Sequence, residues 1–177
     1  MSVIRRADLT ITPWRNGAGR KADIATGPGW LIGFAFLDAD APFSDYTGHD
    51  RTITLAEGPG FTLADTTGKS LPVTTIGRPA PFDGGWIVDC RIHGAPCVVA
   101  NVMTERAHWR HATTVHSAAD LPPPDPTAEA EVLVLLAGTA TLDGTLTGRH
   151  DAIRRAPGQD LHASADALIY RARVWKA

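Results

Sequence analysis

A chain of 177 residues is long enough to bury a core, as one domain or as two small ones. Hydrophobic residues make up 44% and charged residues 20% of it, which excludes a disordered chain. The net charge of -2, with no basic run, lacks the electrostatic signature of a nucleic-acid-binding protein. The longest apolar run, residues 132–137, is too short to cross a bilayer. Arg5 and Arg6 come early and no apolar leader follows them, so the sequence predicts a cytoplasmic protein.

Short runs of β-forming residues follow one another along the chain, and no long stretch has the apolar spacing of an amphipathic helix. The 17 glycines and 13 prolines supply turns between these runs. This pattern predicts an all-β sandwich or barrel. The predicted strands are residues 9–12, 30–37, 52–57, 60–65, 70–76, 86–93, 97–103, 113–117, 131–137, 139–142, 151–155 and 167–174.

Residues 120–126 include four prolines, which cannot donate backbone hydrogen bonds, so this segment is predicted to be an extended, solvated connector. It separates a longer N-terminal part from a shorter C-terminal part. Each part contains an apolar run that ends at a glycine, Gly58 or Gly138, and resumes as a second short strand. This internal similarity is typical of a small jelly-roll barrel that is repeated within one chain.

The turn around Asn16-Gly17 follows two large residues, Trp14 and Arg15. Such a turn can present an indole face, a cation and backbone N–H groups to a small anion. The alternative is a hairpin in which Trp14 only fills the core. Both interpretations remain open from composition alone.

The next polar cluster lies just before an apolar strand and contains Asp50 and Arg51. Arg51 could bind a carboxylate in bidentate fashion while Asp50 holds the guanidinium in place. The alternative is an ordinary Asp–Arg pair on a surface turn. Further along, Arg91 and Asn101 fall on predicted strands, where inward polar residues indicate either a ligand site or a satisfied polar core.

Metal binding and nucleophilic catalysis have no clear signature in this sequence. No His-x-His pair is present, and His108 and His111 would face opposite sides of a strand. No Gly-x-Ser-x-Gly motif occurs either. Cys90 and Cys97 flank a predicted hairpin, so the geometry would allow a disulfide between them. Two buried free thiols are the favoured interpretation. We therefore predict no metal, no cofactor and no catalytic residue set.

Four blocks in order resemble the HutD/Ves family: Pro-Trp-Arg-Asn-Gly-Ala-Gly at residues 13–19, the Phe-Ser…Asp-Arg-Thr-Ile-Thr-Leu…Glu-Gly block at residues 43–58, and the shorter blocks at residues 82–91 and 101–104. The resemblance implies a bicupin, with two joined double-stranded β-helix (jelly-roll) barrels packed as one unit. Residues 1–119 would form the N-terminal barrel with the ligand pocket, and residues 120–177 the linker and a smaller barrel. Carried over to this chain, the pocket candidates are Trp14, Arg15, Asn16, Asp50, Arg51, Arg91 and Asn101.

Three hypotheses of function follow. The first, implied by the resemblance, is a sensor or regulator of histidine utilisation that binds a small anionic metabolite such as N-formylglutamate, with no nucleic-acid or membrane partner. The second is a metal-independent cupin enzyme, an isomerase or hydrolase of a small acid, with His49 or Asp83 as general base. The third is an interaction module that forms a homodimer through an open sheet face.

Overall fold

The computed structural model describes residues 3–177, and β-strands account for nearly all of its regular structure. Apart from one short 3-10 helix, Arg6–Asp8, no helix occurs in these residues, and none could cross a membrane. The all-β prediction is confirmed. In chain order the strands are β1 (Val3–Ile4), β2 (Ile11–Pro13), β3 (Arg20–Gly27), β4 (Trp30–Leu37), β5 (Ala41–Pro42), β6 (His49–Glu57), β7 (Phe61–Ala64), β8 (Ser70–Val73), β9 (Pro79–Asp83), β10 (Asp89–Ile92), β11 (Cys97–Glu105), β12 (Trp109–Ser117), β13 (Ala130–Ala137), β14 (Ala140–Leu142), β15 (Thr145–Thr147), β16 (Ala152–Arg154), β17 (Leu161–Ala163) and β18 (Leu168–Lys176).

Every predicted strand has a counterpart, but six strands were not predicted. The longest of them is β3, in which Lys21 and Asp23 alternate with the buried Ala22 and Ile24. This is the period-2 pattern of a half-buried strand. The strand β9 contains two prolines, which are tolerated because the strand lies at the edge of its sheet.

The strands form four sheets, two large and two small. The first large sheet has the order β2-β3-β4-β11-β6-β9, and the first small sheet has the order β5-β10-β7-β8. The second large sheet has the order β1-β16-β13-β18-β12, and the second small sheet has the order β15-β14-β17. We call the first large and small sheets the first half, and the second pair the second half.

Three hydrophobic cores hold these sheets together. The first core lies between the two large sheets and includes Phe34 from one and Tyr170 from the other. The second core fills the first half, between its large and small sheets, and the third core does the same in the second half. The order of layers is therefore small, large, large, small.

The resemblance implied two barrels, but the described sheets are not closed. No ladder of hydrogen bonds joins a large sheet to its small sheet within residues 3–177, so each half is an open sandwich. Two strands also cross between the predicted parts. Although β1 and β12 fall within residues 1–119, both pair in the second large sheet, with β16 and β18 respectively.

The proline-rich connector is not the solvated linker that its composition predicts. Leu121 packs against the third core. The carbonyl oxygens of Pro122 and Pro123 accept hydrogen bonds from Arg155 and Arg171, at 2.6 and 3.0 Å. Proline cannot donate a backbone hydrogen bond, but its carbonyl remains a full acceptor, and here two arginines use it. We call residues 120–126 the proline strap.

Three histidines are expected to make stability depend on pH. Burial lowers the pKa of His111, His116 and His150 in the folded protein. His111 is also fixed between Thr52 and Thr104, whose hydroxyls lie 2.9 and 2.7 Å from its two ring nitrogens. The unfolded chain, with histidine pKa values near 6.5, then binds more protons than the native state as pH falls below about 7.

The free energy of unfolding should therefore decrease between pH 7.5 and 5.5, by on the order of 1 kcal/mol per pH unit for each histidine that stays neutral when folded. Urea unfolding at pH 5.5, 6.5 and 7.5 measures this slope. The variant His111→Asn should show a shallower slope than the unmodified protein. A free energy of unfolding that is constant across this range would contradict the prediction.

Candidate ligand-binding site

A cavity opens against the first large sheet, where strands β3, β4, β6 and β11 and the loop residues Trp14, Phe43, Ser44 and Tyr46 line it. It encloses about 460 Å³ of space, including its open mouth, but only about 30 Å³ of the interior can hold the centre of a water molecule. It therefore suits a small ligand or one end of a larger one. Its lining is mainly apolar and includes Leu31, Ala35, Phe43, Ile53, Val99 and Met103, together with the polar residues Trp14, Lys21, Ser44, Tyr46, Arg51 and Asn101.

Arg51 is the central charge of this cavity. Its residue is only 8% exposed, and the guanidinium carbon lies 4.9 Å from the ring centre of Phe82, 5.2 Å from Phe43 and 5.3 Å from Tyr46. Among the described residues no carboxylate pairs with it, and its buried Nε has no hydrogen-bond partner. Burial lowers its pKa to about 10, so the side chain remains a cation at neutral pH.

Asn101 supplies a second unsatisfied polar group beside Arg51. Arg51 pairs with Met103 across β6 and β11, so Asn101 lies two residues along the neighbouring strand and shares the inward face. Asn101 is 6% exposed, and its Oδ1 has no hydrogen-bond partner in the structure. A buried cation and a buried amide oxygen thus meet in an apolar cavity, an arrangement that can bind an anion carrying a donor.

The expected role of Asp50 as the residue that holds Arg51 is wrong. Neighbouring residues on a strand point to opposite faces, so the two side chains separate. Asp50 instead accepts a hydrogen bond from Nε of Arg106 at 2.9 Å. Arg106 also bridges to Asp83 at 2.8 Å on the exposed surface. Within residues 3–177, Arg51 consequently has no counter-ion.

The turn at Trp14 lies at the cavity, as both of its interpretations allow. Trp14 lines the cavity and packs edge-on against Phe43, with ring centres 5.2 Å apart. Its Nε1 donates to the carbonyl of Arg20 at 2.8 Å, which fixes the indole. Trp14 is therefore a packed residue whose surface also faces the ligand space.

Arg15 and Asn16 lie in an adjoining surface groove rather than in the cavity. The groove also contains Tyr46 and His49, and the guanidinium of Arg15 lies 6.0 Å from the Tyr46 ring centre. Asn16 is occupied in shaping its loop: its amide donates to Pro42 and its Oδ1 accepts the N–H of Ala18. The two predicted residues thus border the cavity from outside.

Arg91 is not brought to this site. It is exposed on β10, where it pairs with Thr62 in the first small sheet, and it does not line the cavity. The two candidate bases of the sequence analysis also lie outside it. His49 borders the outer groove, and the carboxylate of Asp83 is bound by Arg106 and by the N–H of Gly85.

Several cavity residues were not among the predicted set. Phe43, Tyr46 and Phe82 surround Arg51, and Lys21 reaches the lining from the unpredicted strand β3. Phe43 and Tyr46 could have been found from the density of rings just before Arg51 in the sequence, whereas Phe82 is 31 residues away and reaches Arg51 only through the pairing of β9 with β6. Lys21 could not, because it forms an ordinary ion pair with Asp23 and no motif marks it.

Two further kinds of chemical group, potential metal ligands and thiols, lie outside the cavity lining. Within residues 3–177 no group of three or more His, Cys, Asp or Glu side chains is arranged to hold a metal ion. Cys90 and Cys97 are buried free thiols, and burial raises the pKa of Cys90 to about 12. A thiol held this firmly in its protonated form is a poor nucleophile.

The stacked sheets, with a cavity against one of them, have a cupin-like fold. A cupin 2 conserved barrel domain protein from Leptotrichia buccalis has a similar fold, with a TM-score of 0.58 and 9% identity over 89% of this chain and 88% of that one. HutD from Pseudomonas fluorescens SBW25 is more similar, with a TM-score of 0.82 and 21% identity over 99% of this chain and 98% of that one. At these identities the comparison shows the fold alone.

The HutD family model matches residues 6–171, and the chain therefore belongs to the HutD family. An uncharacterized 21.2 kDa protein in the hutC 3′ region of Pseudomonas putida is 29% identical over 101 residues, or 53% of each chain. Protein Ves of Escherichia fergusonii is 28% identical over 103 residues, or 54% of this chain and 53% of Ves. The matched region spans about half the length of these curated relatives. The resemblance to HutD and Ves is confirmed.

Proposed function

We propose that this protein binds a small carboxylate, such as N-formylglutamate, at Arg51 and acts in the cytoplasm as a sensor or regulator of histidine utilisation. The observation that carries the proposal is the buried Arg51 guanidinium, for which the described part of the chain supplies no counter-ion. Membership of the HutD family supports the link to histidine utilisation. We further propose that each open sandwich is one cupin unit of a bicupin.

The electrostatics of the cavity favour an anionic ligand. A buried charge without a partner costs several kcal/mol, and only part of this is offset by the rings of Phe43, Tyr46 and Phe82. A ligand carboxylate would supply the missing charge and accept two parallel N–H bonds from Arg51. Asn101 would orient the ligand through a further hydrogen bond.

The size of the cavity suggests how a ligand larger than formate would lie. The space beside Arg51 admits little more than a carboxylate head group. The rest of the ligand would then extend through the mouth toward the outer groove at Arg15 and His49, which shares Tyr46 and Ser44 with the cavity. An exposed cation such as Arg15 would raise the rate at which anions arrive more than it would raise affinity.

Isothermal titration calorimetry with N-formylglutamate, urocanate, glutamate and formate is expected to show one saturable site per chain. Asn101→Ala should lower the affinity for the ligand by a factor of about 2–10, because one neutral hydrogen bond contributes roughly 0.5–1.5 kcal/mol. Asp83→Asn serves as the control, since Asp83 lies outside the cavity, and should bind normally. If none of the four compounds binds, the proposal that the cavity binds a small carboxylate of this kind is wrong.

A further inference from the structure

The two halves repeat one pair of strands, β6 with β11 and β13 with β18. In each pair the ladder skips a single residue, Ala56 in β6 and Leu136 in β13. Such a bulge places two residues of one strand against one of the other and is a fixed point for comparison. Each skipped residue is followed two positions later by a glycine with positive φ, Gly58 or Gly138.

Counting from these bulges gives equivalent positions in the two halves. Five residues before the bulge stand Arg51 in β6 and Glu131 in β13. The partner strands align in the same way: Leu55 pairs with Val99, and Leu135 pairs with Ile169.

Two residues beyond those partners stand Asn101 in β11 and Arg171 in β18. The residues on the same strand faces are buried in the second and third cores. Both pairs of residues therefore face the interior of their own sandwich.

The equivalent positions hold opposite chemistry. In the first half, Arg51 Nε and Asn101 Oδ1 are buried and find no hydrogen-bond partner among the described residues. In the second half, Glu131 lies 2.8 Å from Arg171 and 3.3 Å from Arg155, and its carboxylate also accepts the backbone N–H of Asp125 at 2.9 Å. The side chains of Glu131 and Arg171 are each only 3% exposed. The second half thus contains a buried carboxylate bound by two arginines.

The proline strap completes this second site. The carbonyls of Pro122 and Pro123 accept further hydrogen bonds from the two arginines, Arg155 and Arg171. A carboxylate and two carbonyl oxygens therefore occupy the arginines, and all three are supplied by the chain itself. Arg171 Nε is the one buried nitrogen of these two arginines that the described residues leave without a partner.

We propose that Arg155 and Arg171 form a second carboxylate-binding site, equivalent in position to the Arg51 site, which is permanently filled by Glu131 and capped by the proline strap. The intact protein then accepts one external carboxylate and not two. Removal of the Glu131 side chain should open the site to a short carboxylate, such as acetate or propionate, which would take the place of the lost group.

The test is chemical rescue in an Arg51→Met background, which removes the first site. Adding Glu131→Ala should lower Tm by roughly 10 °C, because the buried Arg171 and the largely buried Arg155 lose their shared counter-ion. Acetate should then restore ~4 °C, saturably, at about ten times its Kd, whereas equal concentrations of chloride should not. Glu129→Ala, an exposed neighbour, is the matched control and should show no acetate-specific gain.

Further variants separate the outcomes. Adding Arg171→Met to the Glu131→Ala protein should abolish the rescue. If the Glu131→Ala protein is insoluble, its refolding yield from urea in acetate is compared with that in chloride, and a higher yield in acetate supports the proposal. Equal effects of acetate and chloride in either assay overturn it. Because Arg51 is absent throughout, such a failure would leave the proposed function of the first half untouched.

Discussion

Replacing Arg51 with methionine is expected to stabilise the protein while it removes carboxylate binding. Methionine fills a similar volume among Phe43, Tyr46 and Phe82 and carries no charge that needs a partner. The free energy of unfolding should rise by about 1–3 kcal/mol, with Tm higher by roughly 3–10 °C. Affinity for the ligand should fall at least ~10-fold, since charge-assisted hydrogen bonds contribute about 1.5–3 kcal/mol. Urea unfolding and calorimetry measure the two effects on one preparation.

Arg91→Met is the matched control for this experiment. Arg91 is exposed and lies outside the cavity, so its replacement should change stability by no more than ~0.5 kcal/mol and leave binding intact. A loss of stability in Arg51→Met would show that the guanidinium supports the fold, contrary to the prediction. Opposite signs for stability and binding are the signature of a residue retained for function.

Glu131→Gln is expected to have the largest effect on stability among single changes of similar volume. The amide keeps the shape of the side chain but removes the charge that the buried Arg171 and the largely buried Arg155 share as counter-ion. Breaking a buried ion pair in this way costs about 3–5 kcal/mol, a large share of the ~5–15 kcal/mol that keeps a typical domain folded. Urea unfolding monitored by tryptophan fluorescence measures the loss.

Glu129→Gln provides the comparison for that loss. Glu129 is exposed and only two residues away, so the same chemical change there should alter stability by no more than ~0.5 kcal/mol. A loss below about 1 kcal/mol in Glu131→Gln would mean that the arginines are adequately satisfied by the proline strap alone. The contrast between the two variants therefore measures what the buried carboxylate contributes.

Most strands could be predicted from the sequence because burial of a strand requires apolar residues at positions that are close together in the chain. The run from Trp30 to Leu37 is a strand with both faces buried, and its bounds follow from apolar content and flanking turns. The strand β3 escaped prediction because Lys21 and Asp23 alternate with small or single apolar residues. Charged residues at these positions are compatible with a loop as well as with a strand that exposes one face to solvent.

The candidate site was only partly predictable, because its defining property is an absence of partners. Adjacent Asp50 and Arg51 suggested a pair, yet the strand turns them to opposite faces and Asp50 pairs with Arg106, 56 residues away. The proline strap was misjudged for a related reason. Every residue has a carbonyl acceptor, so nothing in the strap indicates that Arg155 and Arg171 will reach it.

The pairing of β1 and β12, both from residues 1–119, in the second large sheet has a consequence for how ligand binding affects the rest of the molecule. Because β1 and β12 pair in the second large sheet and the first core contains residues of both large sheets, we expect that opening either half disrupts the other. Local opening and global unfolding should then coincide over most of the chain. A carboxylate held at Arg51 would slow amide hydrogen exchange in β13 and β18 of the second half, with no contact to either strand.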